Sequence, residues 1–205
     1  SRPGVRRVRP PGQLSVYSNY GAALAGAIIA HESGMDWPTY TERRILRPLG
    51  MMSATFREPY SAEVAATNHL PQPMPAEIAA RVTLGYRFAA GGYEAAPFEY
   101  VTHGSPAGSL SASANDMALY MQALLDPARM AGAGVLSEAN ARALSEPLFA
   151  NHPALGAWRH GFMSFDLGGG RWAFGHGGST IYQHSLLMVS RELGLGVFVS
   201  TNTDT

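Results

Sequence analysis

The chain has 205 residues, 46% of them hydrophobic and 15% charged, with a formal net charge of zero. That is enough apolar material for one buried core, and it excludes a disordered chain or a broadly basic partner for nucleic acid or anionic lipid. Cysteine is absent, so there is no disulfide, thiol nucleophile or cysteine metal site.

In chain order, residues 1–16 read as an irregular approach, with Pro3, Pro10 and Pro11 and a basic cluster of Arg2, Arg6, Arg7 and Arg9 on a solvated loop. A helix is predicted from Asn19 or Tyr20 to about Ser33, with Leu24, Ile28 and Ile29 on its apolar side and Gly34 as its stop. Its longest apolar stretch, Gly21 to Ala30, is too short to span a bilayer. Asp36 caps a second helix running through Arg47, with Pro38 in the first turn and Pro48-Leu49-Gly50-Met51 as terminator.

From Met52 to Tyr100 the periodicity weakens, and Pro71, Pro73 and Pro75 punctuate it. Gly91-Gly92 between Tyr86-Arg87-Phe88 and Tyr93 predicts a hairpin. Ser111 or Ser113 caps a helix in which Met117, Tyr120, Met121, Leu124 and Leu125 follow helical spacing, ending at Pro127. Ser137 starts another, with Glu138 in its first turn, halting before Pro147.

The tail changes period. Phe162 to Leu167 and Arg171 to His176 form a predicted hairpin around Gly168-Gly169-Gly170. Strands His184 to Ser190 and Leu195 to Thr201 follow, joined through Arg191-Glu192. Helices first (about 20–160) and an antiparallel meander after (about 161–202) predict one α+β domain, an antiparallel sheet flanked by helices. The last strand reads as central, although the chain ends four residues beyond it.

Several chemistries find no motif. There is no Gly-x-Ser-x-Gly elbow, no phosphate-binding Gly-rich loop, and no second histidine one turn after His31-Glu32. The seven histidines are scattered; a metal site from His103, His160, His176 and Asp166 is the one arrangement conceivable.

Two motifs remain. Tyr17-Ser18-Asn19 places a phenol and a carboxamide two residues apart, on one side of an extended segment. Beside a cation and out of water a phenol ionises more easily and can serve a hydroxyl nucleophile as base and then acid. The amide can donate to and accept from a substrate amide or ester. Capping of the following helix is the competing, purely structural role. His176-Gly177-Gly178-Ser179 ends a predicted strand, where two glycines let a ligand or another backbone come close. A backbone N–H there can serve a developing oxyanion, and His176 adds a donor. A glycine bulge with a strand-end histidine is the bland alternative. His184 and Tyr182 lie just beyond, Pro106-Ala107-Gly108-Ser109-Leu110 reads as a structural turn, and Trp158 and Trp172 as core or rim aromatics.

Tyr17-Ser18-Asn19, the helix to Gly34, Arg47-Pro48-Leu49-Gly50-Met51, Pro106-Ala107-Gly108-Ser109-Leu110, Phe174-Gly175-His176-Gly177-Gly178 and the closing Gly194 to Asn202 form an ordered series. The series resembles the class C β-lactamase and penicillin-binding-protein-like serine hydrolases, with their DD-peptidase and esterase relatives. The resemblance implies a β-lactamase/transpeptidase-like fold whose N-terminal part is missing, no cofactor and no metal. It implies that Tyr17 exchanges protons with the nucleophile, that Asn19 holds substrate and an active-site lysine, and that His176, Gly177 and Gly178 stand at Lys-Thr-Gly. Ser179 would then give its backbone N–H to the oxyanion.

All fifteen basic residues are arginines, so no Ser-x-x-Lys exists here and the nucleophile is expected upstream. Histidine for lysine and glycine for a threonine hydroxyl remove carboxylate contacts, which favours esterase or peptidase over β-lactamase chemistry. The implied substrate is a small ester or amide, such as a D-amino peptide or β-lactam, without nucleic-acid or membrane contact. The implied partner is the missing N-terminal part of the same domain, which would cover a bare sheet edge, and the implied location periplasmic or secreted. A non-catalytic ligand-binding relative is the competing class.

Overall fold

The computed structural model describes residues 8–152 and 154–204, so Arg2, Arg6 and Arg7 lie outside the described residues. Helix α1 (Asn19–Ser33) begins at Ser18, whose hydroxyl accepts from Gly21 N–H at 3.0 Å, and ends at Gly34 with φ 66°. The left-handed stop is the glycine conformation expected. Its apolar side departs from expectation: Leu24 and Ile28 are exposed, and only Gly26 is buried. A Cβ on Gly26 would lie 2.3 Å from Pro106. The helix therefore docks by a close backbone approach to the short 3₁₀ turn Thr102–Ala107, rather than by its leucine and isoleucine side.

Asp36 caps α2 (Trp37–Thr41), accepting from Thr39 N–H at 2.8 Å, and the expected single helix widens into a π turn over Glu42–Leu46. The segment from Met52 to Tyr100 holds more structure than its pattern suggests: α3 (Ala62–Thr67), α4 (Ala76–Ala79) and the hairpin β1 (Tyr86–Ala89) and β2 (Gly92–Ala95). The hairpin turns at Ala90 and Gly91, both at positive φ, one residue before the expected glycine pair.

Ion pairs and buried carboxylates organise this region in place of a hydrophobic stripe. Arg57 donates to Glu42 at 3.0 Å, to Thr39 Oγ1 and to the Gln72 carbonyl. Glu58, 2% exposed, accepts from Val101 N–H at 2.6 Å, Thr102 N–H at 3.0 Å and Ser109 Oγ at 3.1 Å. Each donor offsets part of the cost of keeping this carboxylate out of water.

Helix α5 (Ala114–Leu125) starts in a Ser113/Asp116 capping box. Pro127, expected only as a terminator, opens α6 (Pro127–Gly132), and α7 (Glu138–Ala143) follows from Ser137. The four tail strands are β3 (Met163–Gly168), β4 (Arg171–Ser179), β5 (His184–Ser190) and β6 (Leu195–Thr201), all antiparallel in the order β3-β4-β5-β6. Two differences arise: β4 runs past His176 to Ser179, and among the described residues β6 lies at the edge of this sheet and not at its centre. β1 bridges the tail just past β6, with Tyr86 N–H donating to the Asn202 carbonyl.

One sheet face, with Phe174, Leu187 and Val189, packs on Met117 and Leu124 of α5. Arg191 locks that layer, donating to the carbonyls of Leu124, Ala141 and Arg142 with its cation over Phe174. On the opposite face the β6 side is open, and Leu195, Val197 and Val199 are 49–62% exposed.

Glu58→Gln swaps a buried acceptor for an amide that must turn one N–H toward a backbone donor. Denaturant unfolding of the full-length protein is expected to lose about 1–3 kcal/mol, and an unchanged midpoint would refute the role given to this carboxylate. Gly175→Ala is expected to cost more, about 3 kcal/mol, because its Cβ would lie 1.8 Å from the Leu187 carbonyl oxygen.

Candidate active site

Ser18 is extended, at φ −152° and ψ 109°, which turns its neighbours to one side as the tripeptide suggests. The Tyr17 phenol donates to Asn19 Oδ1 at 2.7 Å. The Ser18 hydroxyl is taken up in capping, so the structural role holds for this residue. The approach to Tyr17 is fixed from far along the chain: Ser15 N–H donates to Asn151 Oδ1 at 2.8 Å and Asn151 Nδ2 donates to the Ser15 carbonyl at 2.9 Å. The carboxamide thus pairs with this backbone as a strand partner would.

On the facing side stands β4. Its pairing with β3 ends at Met163↔Gly175, whereas its pairing with β5 continues to Ser179↔His184. Residues 176–179 therefore have one unpaired edge among the described residues. Thr180 N–H donates to the Gln183 carbonyl, on the β5 side. Successive N–H groups of a strand point to opposite edges, so Ser179 N–H points to the unpaired one. His176 Nδ1 is hydrogen-bonded to the Gly177 carbonyl. A carbonyl only accepts, so the hydrogen sits on Nδ1 and Nε2 keeps its lone pair in the neutral ring.

The two motifs meet. Tyr17 and His176 ring centroids are 5.6 Å apart at an interplanar angle of 38°, and both line a cavity of about 330 Å³ with Ser18, Pro106, Ala107 and Trp158. Asn19 reaches the site through Tyr17 and is absent from the lining, as are Gly177, Gly178 and Ser179, which continue along the strand beyond it. A smaller crevice of about 190 Å³ around Leu155, Arg159 and Trp172 shares no residue with this one.

Among the described residues no arginine, aspartate or glutamate lines the cavity, and Tyr17 is 52% exposed. Among the described residues no three histidine, aspartate or glutamate side chains converge on a metal position, so His103, His160, His176 and Asp166 do not assemble. Ser179 Oγ lies 2.7 Å from His184 Nδ1. The turn between them hangs from Glu99, which accepts from the Thr180 hydroxyl at 2.7 Å, Ile181 N–H at 2.8 Å and Tyr182 N–H at 3.0 Å. Burial works against its charge, but these donors and nearby His184 leave the Glu99 pKa below the ordinary carboxylate value. Sequence reasoning missed Asn151 and Glu99, since lone polar residues in unpatterned segments carry no local signal, and it gave Trp158 no more than a core or rim role.

A model of the family described as Beta-lactamase matches residues 4–205. Beta-lactamase-like protein 2 of Dictyostelium discoideum is 29% identical over 114 residues, 56% of this chain and 18% of that protein. The octameric penicillin-binding protein homologue from Pyrococcus abyssi superposes with a TM-score of 0.73 at 24% identity, covering 95% of this chain and 40% of that one. D-amino acid amidase from Ochrobactrum anthropi SV3, complexed with L-phenylalanine amide, gives 0.68 at 24% identity, covering 95% and 52%. The chain thus spans about half or less of the length of these relatives.

Asn151→Ala removes both bonds to Ser15, whereas Asn151→Asp keeps an acceptor for Ser15 N–H. Hydrogen exchange at the Ser15 amide is expected to speed up about tenfold in the alanine variant and to stay near wild type in the aspartate variant. Equal exchange in all three proteins would show that the latch does not form.

Proposed function

Since the chain belongs to the Beta-lactamase family, we propose that it carries one side of the active centre of a serine hydrolase that works through an acyl-enzyme. The serine and lysine of that centre come from polypeptide preceding these residues, because a sequence without lysine holds no Ser-x-x-Lys. The observation that carries the reading is the Tyr17–His176 pair, 5.6 Å apart and facing one cavity.

In this mechanism the serine Oγ attacks the carbonyl carbon, forming a C–O bond as its proton passes to Tyr17. The lysine supplies the cation that eases ionisation of the phenol. The tetrahedral oxyanion takes a hydrogen bond from Ser179 N–H on the free edge of β4. Tyr17 returns the proton to the departing alcohol or amine as the C–O or C–N bond breaks. Water then attacks the acyl-serine, and a carboxylic acid leaves with the serine restored. Asn19 holds the phenol and the lysine in register. Gly177 and Gly178 let substrate approach the strand without side chains, and His176 orients it.

Esters and simple amides suit this centre better than β-lactams. Among the described residues no arginine lines the cavity, and an imidazole and a glycine stand where the resemblance puts a lysine and a threonine hydroxyl, which leaves a substrate carboxylate fewer fixed partners. The amidase among the structural neighbours supports the amide alternative. Exposed apolar surface on α1 and on the open sheet face is where the rest of the domain would pack.

Full-length protein treated with a fluorophosphonate or penicillin is expected to be labelled on a serine outside these 205 residues. No label, with no ester or amide turned over, would leave the non-catalytic ligand-binding relative as the answer. Tyr17→Phe is expected to lower the acylation rate by about 10²–10⁴ without shifting the melting temperature.

A further inference from the structure

Beyond Gly175, β4 and β5 form a two-stranded ribbon among the described residues, because β3 no longer pairs with β4 there. Such a ribbon is marginal by itself and opens locally more easily than a strand inside a sheet. Yet its tip is where the hydrolase reading asks for the finest geometry, since Ser179 N–H has to meet an oxyanion. Something other than the sheet must steady it.

The turn that closes the ribbon satisfies only part of itself. Thr180 N–H donates to the Gln183 carbonyl at 2.9 Å, and Gln183 N–H donates to Thr180 Oγ1 at 3.1 Å. The Thr180 hydroxyl hydrogen and the N–H groups of Ile181 and Tyr182 remain, and all three go to the Glu99 carboxylate, at 2.7, 2.8 and 3.0 Å. Among the described residues no other hydrogen bond reaches this turn from outside the β4–β5 hairpin. Bonds to an ionised acceptor are the strong kind. Glu99 is itself fixed on both sides: Ala96 N–H donates to the Gly85 carbonyl at 2.8 Å, and Val101 N–H donates to buried Glu58 at 2.6 Å. Gly85 also presses on the turn, since a Cβ there would lie 2.4 Å from the Tyr182 Cβ. A carboxylate on a pinned segment holds the turn without first having to be ordered.

We infer that Glu99 is a positioning residue: it braces the end of β4 where β3 no longer does, and so keeps Ser179 N–H in place for the oxyanion. The inference rests on the serine hydrolase reading for what the strand end does, but not for what holds it.

Hydrogen exchange in the full-length protein tests the brace. In Glu99→Ala the Ile181 and Tyr182 amides are expected to exchange about tenfold faster, while the Leu187 and Val189 amides, in the middle of the sheet, stay near wild type. Unchanged exchange at 181 and 182 overturns the inference. A rise at all four positions marks a lost fold and hands the decision to Glu99→Gln, which keeps the shape but turns an amide N–H toward the donors of the turn.

Ester hydrolysis tests the positioning. In Glu99→Ala kcat for a methyl ester is expected to fall roughly tenfold to a hundredfold, with KM within about twofold of wild type. The matching thionoester gives the specific readout. Its sulfur is a poor hydrogen-bond acceptor, so the wild-type preference for the oxygen ester includes what the oxyanion donor contributes. That preference is expected to shrink at least about fivefold in the variant. A folded variant that loses both esters equally, or changes KM alone, overturns the positioning role. If wild type cleaves no ester and no serine is labelled, the hydrolase reading fails and the oxyanion role falls with it, whereas exchange at Ile181 and Tyr182 still decides whether Glu99 holds the strand end.

Discussion

The site depends on one mismatch in strand length. Within β4, Phe174 and Gly175 are paired on both edges, and His176 to Ser179 on the β5 edge alone among the described residues. A fully paired strand would have its N–H and C=O groups spent in ladders on both sides. By outlasting β3, β4 keeps the rigidity of its β5 pairing while leaving four residues of backbone to meet something else. The glycines belong to this arrangement. Gly175 sits where no Cβ can pass the Leu187 carbonyl oxygen, so the strand approaches β5 closely just before it becomes free. That fixes His176 at the first unpaired position.

The other side of the cavity is held by two unrelated contacts. Gly26 lets α1 close onto Pro106, which sets the height of the helix start above the 3₁₀ turn. Asn151 fixes the backbone two residues before Tyr17. Between them the phenol has little choice of direction. Both contacts are short-ranged and steric or hydrogen-bonded, and neither draws on bulk burial. A precise site on an otherwise open helix face is consistent with that.

Much of this was legible from the sequence because it obeys local rules. Ser18, Asp36, Ser113 and Ser137 cap where their side-chain oxygens demand. The alternation after Phe162 gives the four strands, and the ordered motifs point to the family whose model matches. What failed to show is tertiary in origin. Leu24 and Ile28 obey helical spacing yet face water, since periodicity reports that a face is apolar and not what covers it. The strand Leu195–Thr201 looks central because Leu195, Gly196, Val197, Phe198 and Val199 run almost unbroken, as a strand buried on both faces does. In the sheet only Gly196 and Phe198 turn toward α5. Between Met52 and Tyr100 the order comes from Arg57 and Glu58 reaching across loops, and single charged residues leave no periodic trace. Asn151 meets Ser15 over 136 positions, beyond any window of pattern reading.

The distribution of polarity ties these observations together. Tyr20, Leu24 and Ile28 on α1 and Leu195, Val197 and Val199 on the sheet are exposed, while charged Arg57, Glu58 and Asp116 are buried. That inversion is opposite to the usual partition. The buried charges are each hydrogen-bonded, so their burial serves geometry, holding the loop 101–109 and the start of α5. The exposed apolar groups have no such local reason. They lie on the helix that begins just after Tyr17 and on the sheet that carries His176, two of the elements that line the cavity. On the hydrolase reading proposed above, apolar surface beside a site whose nucleophile is supplied from elsewhere is one requirement seen twice: the group that completes the chemistry arrives on structure that also covers these faces. Were the nucleophile to come from a separate small molecule instead, the open sheet face would have no bearing on the cavity. The shared placement of bare surface and incomplete chemistry on the same two elements argues for covering by polypeptide.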